Sequence, residues 1–200
     1  MGADLARRDL EHLYANLDRM DGIVEKTLDA VTSALLEWRS IDLEEQLYLV
    51  EMLMEMIEEQ ATFFIAKYQP LGPELLEAKA IIRASYDLYR ISRYCREIAR
   101  LIDAVGPGRR VEMPGEIREA ITVTRGMVGE AYKAFRERDE ELKRRVKEKD
   151  DLIDGIYTGM LARLGGESSF STRDVVALLV ARHLERIADH AVYIASLPRA

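Results

Sequence analysis

Glu185 and Asp189 stand one helical turn apart in the run Ala181-Arg-His-Leu-Glu-Arg-Ile-Ala-Asp-His-Ala-Val-Tyr-Ile-Ala195. Two carboxylates at that spacing can share one cation, and hard metals take such oxygen pairs. At about 100° per residue, Val176, Val180, Leu184, Ile187, Ala191 and Ile194 gather on one face, the stripe an amphipathic helix buries. The two acids lie roughly 130–170° from the centre of that stripe and are expected to point outward. Arg182 and Arg186 offer an alternative reading, in which they neutralise Glu185 and Asp189 as surface ion pairs, each worth only about 0–1 kcal/mol.

That helix needs neighbours, and the chain supplies them. No segment reads as a strand, and long helical tracts alternate with a few punctuators. Apolar residues at helical spacing predict helix one from Asp4 to Arg39, with Gly22 inside it as a bend or close-packing point. Asp42-x-x-Glu45 reads as a capping box opening helix two, which runs to Tyr68. Pro73 suits the first turn of helix three, and Gly106-Pro-Gly108 ends it after Val105. Helix four is expected from Pro114 to Arg136 and helix five from Asp139 to Leu164, stopped by Gly165-Gly166. Ser171-x-x-Asp174 opens helix six and Pro198 closes it. The expected fold is all-α: six long helices in two tandem three-helix bundles, 1–106 and 107–200.

The halves repeat. Val50 and Val146, Ile57 and Ile153, Arg90 and Arg186, Ile91 and Ile187, and Ile98 and Ile194 are each 96 residues apart. One separation that holds across two helices and the loop between them marks an internal duplication.

The Arg182-His-Leu-Glu-Arg-Ile-Ala-Asp-His-Ala191 run resembles the signature Arg-x-Leu-Glu-Arg-Ile-Gly-Asp-His-Ala of the PhoU family of phosphate-uptake regulators. It departs at Ala188, where the family usually has Gly, and two residues past the run Tyr193 stands where Asn is common. Duplicated three-helix units are the architecture of that family, so the resemblance extends over nearly the whole chain. It implies a second acidic pair on the preceding helix, here Asp150 and Asp154, joining Glu185 and Asp189 around one surface metal site. Iron is the metal the resemblance favours; an all-oxygen set also suits magnesium, manganese or calcium better than structural zinc. In the first half Met54, Glu58, Tyr89 and Arg93 occupy the equivalent positions. No second cluster is expected there, and Arg93 is expected to reach Glu58 as a substitute cation. The resemblance further implies a non-enzymatic adaptor that restrains phosphate import and phosphate-starvation signalling. Its partners would be the ATPase of a phosphate ABC transporter and a sensor histidine kinase. Two rivals stay open: an accessory module of another ion or phosphate transporter, and a metal-dependent phosphohydrolase.

Composition agrees with a globular chain: 48% hydrophobic and 32% charged residues, with few Pro and Gly. The net charge of −7 argues against a nucleic-acid surface. The apolar runs are too short to span a bilayer, and no secretory signal opens the chain, so a cytoplasmic location with no membrane insertion is expected. The single Cys95 fits a reducing compartment. Charge-rich faces with almost no Asn or Gln hint at a thermophile. His183 and His190 lie on the edge of the core stripe away from Glu185 and are expected to pack at a boundary, and His12 has no partner motif. Gly155 and Gly159 are expected to permit close helix approach. Met52, Met54 and Met56 suit pliable core or an oligomer surface, and exposed Tyr and Met favour a homo-oligomer. No phosphate loop, nucleophile–His–acid set or Glu-x-x-His pair is present, so no catalytic residue is assigned.

Overall fold

Ser171 shows how locally the helix ends are encoded. Its hydroxyl accepts from the Asp174 N–H while the Asp174 carboxylate accepts from the Ser171 N–H, so two first-turn donors are satisfied reciprocally. The computed structural model describes residues 2–109 and 111–198. They form α1 (Gly2–Glu37), α2 (Glu44–Tyr68), α3 (Pro73–Val105), α4 (Gly115–Glu137), α5 (Glu140–Gly165) and α6 (Thr172–Ala195), with no strand among the described residues. Pro73 takes the first turn of α3, and Asp139 caps α5 by accepting from the N–H groups of Glu141 and Leu142. At α2 the expected capping box does not close. Leu43 holds the cap position, so Asp42 lies one residue too early and accepts instead from the Glu44 N–H at 2.9 Å.

Helices α1, α2 and α3 pack on one another, as do α4, α5 and α6; α3 against α6 and α1 against α4 join the two bundles. The buried apolar residues form one continuous core. Helix α6 is enclosed on three sides, by α3, α4 and α5. Among the described residues no helix is long and apolar enough to cross a membrane.

The duplication is visible in the core. Val50, Ile57, Ile91 and Ile98 are buried, and so are Val146, Ile153, Ile187 and Ile194. In α1 and α4 the matching separation is 100: Leu17 with Ile117, Val24 with Thr124, Leu28 with Val128 and Leu35 with Phe135, all buried. Trp38 and Arg138, at the same separation, end their helices in the left-handed conformation (φ 54° and 58°). The change from 100 to 96 is absorbed in the next connection, which spans Trp38–Leu43 in the first repeat and only Arg138-Asp139 in the second.

Gly22, Gly155 and Gly159 are not close-approach positions, because a Cβ on any of them would meet nothing within 4 Å. Close approach occurs at Gly129, where a Cβ would lie 2.5 Å from Glu25 Oε1 on α1.

Candidate functional site

The antiparallel pairing of α5 with α6 brings the four acidic residues to one face. Asp150 and Asp154 lie within electrostatic reach of Asp189, and Asp154 also of Glu185. Burial first, then the neighbouring Asp154 and Asp189, pushes the Asp150 carboxyl up to about 6. Asp154 is raised by burial and by Glu185 and Asp189.

Glu185 does not point outward as the helical geometry alone suggests; it is only 6% exposed. A second helix face is covered because α6 has three neighbours rather than one. A buried carboxylate needs compensation, and arginines provide it. Arg182 Nη1 donates to Glu185 Oε2 at 2.7 Å, and Arg186 Nε donates to the same oxygen at 2.6 Å. Arg186 Nη1 reaches Asp189 Oδ2 at 3.0 Å. One guanidinium thus spans both signature acids, as the ion-pair reading allowed. Its own acidity is weakened further by those hydrogen bonds to Glu185.

Arg186 stands where a shared cation would, and as the side chains are placed no three Asp, Glu, His or Cys residues among the described ones converge to hold a metal ion. The donor chemistry nevertheless fits a hard metal: oxygen ligands on two adjacent helices, one of them, Asp150 Oδ1, buried with no hydrogen-bond partner.

The equivalent face of the first repeat is built differently. Arg93 does not reach Glu58, which is exposed. Its Nη1 donates to the Tyr89 hydroxyl at 2.8 Å, and that hydroxyl donates to Glu51 at 3.3 Å. The aromatic ring beside it captures the guanidinium first, with Arg93 5.7 Å from the Tyr89 centroid. Alongside, Arg90 donates to the Tyr94 hydroxyl at 2.8 Å.

His183 and His190 both turn to the seam between α3 and α6. His190 Nδ1 lies 2.8 Å from Oδ1 of Asp87, a carboxyl only 2% exposed. His183 packs on Tyr94 with centroids 6.1 Å apart; its Nδ1 is buried without a partner, and burial holds its pKa down. The repeat relates the two contacts: Asp87 and Tyr94 become His183 and His190 at the separation of 96. Tyr94 and His190, themselves equivalent, meet at 5.8 Å. Sequence reasoning did not single out Asp87; its place 96 residues before a boundary histidine was the available signal. His12 lines an open cleft of about 720 Å³ between α1 and α2, with Asn16, Gln60, Phe63 and Lys67.

Comparison with known proteins extends these findings. A family model described as the PhoU domain matches residues 17–102 and again 117–197. The phosphate-specific transport system accessory protein PhoU homolog 1 of Thermotoga maritima is 30% identical over 192 residues, covering 92% of this chain and 83% of that protein. The corresponding PhoU homolog of Pseudomonas putida is 30% identical over 197 residues, with 94% and 77% covered. The crystal structure of PhoU from Pseudomonas aeruginosa superposes with a TM-score of 0.84 at 26% identity, covering 96% of this chain and 95% of that one. That of the phosphate transport system regulatory protein PhoU from Streptococcus pneumoniae shares the fold, with a TM-score of 0.77 at 18% identity over 95% and 93% of the two chains.

Proposed function

The chain belongs to the PhoU family, and from that premise we propose that it regulates phosphate transport as a non-enzymatic adaptor in the cytoplasm. The observation that carries the reading is the double family match, which covers both repeats and falls on relatives named as accessory proteins of the phosphate-specific transport system. The adaptor docks on the transporter ATPase and on a sensor kinase and restrains both when phosphate is plentiful. A rigid two-bundle body with one continuous core suits that role, since docking surfaces on it keep fixed relative positions.

Asp150, Asp154, Glu185 and Asp189 would hold a metal ion, iron foremost, once Arg186 yields its place. The ion would supply positive charge to an acidic face. Asp151, within electrostatic reach of Asp150 and Asp154, would add to the attraction for that ion, while Arg182 and Arg186 would compete with it for Glu185.

Affinity capture of the tagged protein from its native cells, grown with and without excess phosphate, tests the adaptor reading. Recovery of a phosphate-transporter ATPase or sensor kinase that depends on phosphate is the expected result. Recovery of a different transporter, or of no partner under either condition, would overturn it. Adding a strong chelator to the captured complex tests the metal separately. Docking should weaken, and partner affinity unchanged after full chelation would exclude metal as the switch.

A further inference from the structure

The first repeat reverses the chemistry of the second position by position. At the separation of 96, Glu185 becomes Tyr89, Asp189 becomes Arg93 and Lys147 becomes Glu51, while Arg186 is kept as Arg90. The face that suits a cation in α6 therefore presents two guanidinium groups in α3. Further along α3, Arg96 and Arg100 pair with Glu97. Arg90 and Arg93, among the described residues, meet only the hydroxyls of Tyr94 and Tyr89. Three residues apart, they are neighbours on the helix surface. Both are half-buried, and Arg90 also lies within electrostatic reach of the Tyr86 and Tyr89 hydroxyls. A guanidinium carries five N–H donors, and each of these two uses one for its tyrosine. The rest stand in the planar fork that fits an oxyanion. On α2 the positions matching Lys147, Asp151 and Asp154 hold Glu51, Glu55 and Glu58, all exposed. Of these, Glu51 joins the cluster by accepting from the Tyr89 hydroxyl.

We propose that Arg90, Arg93 and Tyr89 bind free inorganic phosphate, with Glu51 selecting its protonated form, hydrogenphosphate. On binding, the Tyr89 hydroxyl turns its proton from Glu51 to a phosphate oxygen, and Glu51 accepts instead from the P–O–H of the ligand. The carboxylate keeps a donor throughout, so the site fits an oxyanion that still carries a proton at neutral pH. Sulfate carries none and would set an oxygen against Glu51 with no proton between them, an unsatisfied contact that costs affinity. A phosphate monoester, whose second pKa is about 6, meets the same obstacle once it is fully ionised. The choice of phosphate thus follows from Glu51. The use made of it rests on the reading of the chain as a phosphate regulator: the chain itself would register the phosphate level, at a site apart from the carboxylates of α5 and α6.

Phosphate titrated into the full isotope-labelled chain, followed by amide NMR shifts at constant ionic strength, tests the proposal. EDTA is present to remove any metal that would itself take phosphate, and a pH of about 8 keeps esters fully ionised. Saturable shifts centred on Glu51 and on Tyr86 to Tyr94 are expected, with sulfate and glycerol phosphate weaker by roughly tenfold. Arg90→Gln and Arg93→Gln should each weaken phosphate by roughly tenfold. Glu51→Gln should retain phosphate and admit sulfate, bringing the two towards parity, which a merely cationic patch would not do. The same spectra show whether each variant is folded; were one to unfold, the shift map and the phosphate-to-sulfate ratio of the unaltered chain decide the matter. Absence of saturable shifts would overturn the proposal, as would sulfate or an ester bound as tightly as phosphate, or shifts centred on Arg182 to Asp189. The purified chain is titrated without partners, so failure here leaves the capture result standing, and a failed capture leaves this one standing.

Discussion

At the α3–α6 seam one pair of positions is used twice and treated differently each time. In one arm Asp87 of the first repeat meets His190 of the second through a 2.8 Å hydrogen bond. In the related arm Tyr94 meets His183 by ring contact only, and His183 Nδ1 is buried without a partner. Outside the seam the contrast recurs: arginine holds buried Glu185 in α6, while tyrosine holds Arg93 in α3. Duplication preserved the apolar framework, where volume alone must match, and released the polar positions to diverge. The diverged polar groups find partners by different routes: Glu185 within its own helix, and Asp87 only from the other repeat, through His190.

The largest expected effect separates the two arms of the seam. His190→Leu leaves the Asp87 carboxyl buried with no partner and should cost about 3 kcal/mol of stability, as removing one member of a buried pair does. His183→Leu removes a buried nitrogen that has no partner, so it should be neutral or stabilise by about 0–1 kcal/mol. Urea unfolding followed by circular dichroism measures both. Equal losses would mean that the hydrogen bond adds nothing beyond what the ring contact provides.

A second contrast lies between α1 and α4. Asp21 is buried at the position where the second repeat has Ile121, the separation again being 100. Its Oδ1 has no hydrogen-bond partner, and burial, with Glu25 and Asp18 nearby, pushes its carboxyl up to about 8. The folded protein therefore prefers the protonated form, while the unfolded chain ionises near the ordinary value of 3.8. The carboxyl consequently lowers stability progressively as pH rises from about 4 to about 8, and its effect levels off above that. Asp21→Ile should stabilise by about 2 kcal/mol at neutral pH and by little near pH 4. Melting temperatures of both proteins across that range provide the check. A gain that stays constant with pH would assign the effect to apolar burial rather than to the carboxyl.

These contrasts mark what was legible in the sequence. The six helices, their duplication and the Ser171 box follow from periodicity and local hydrogen bonding, which short stretches of chain determine. The burial of Glu185 does not, because a helical wheel shows one stripe and cannot count how many neighbours enclose a helix; α6 has three. The choice of Arg93 for Tyr89 over Glu58 depends on side-chain reach across a helix pair, which spacing does not fix. Gly155 and Gly159 mislead for a related reason: they face open space although their spacing fits a contact. Only the pairing of Glu185 with Asp189 comes from spacing; Asp150 and Asp154 join them through the family resemblance, and the guanidinium bridging Glu185 and Asp189 was legible only as one of two alternatives.

The smallest effects come from the arginines of the two faces. Arg186→Ala removes one of the two partners of Glu185, a side chain that is 8% exposed. Arg182 remains, so the cost should be about 1–2 kcal/mol rather than the larger penalty of a wholly unpaired buried charge. Arg93→Ala removes a half-exposed contact to a hydroxyl and leaves no buried acid behind, so about 0–0.5 kcal/mol is expected. The same pair of variants also bears on the metal. With its guanidinium gone, Arg186→Ala should bind manganese more tightly by calorimetric titration, because Glu185 and Asp189 lose their competing cation. Arg93→Ala should leave that affinity alone, since Met54 and Tyr89 offer no carboxylate at the matching positions. If both variants behaved alike in stability and in titration, Arg186 would not be the group that occupies the carboxylate face.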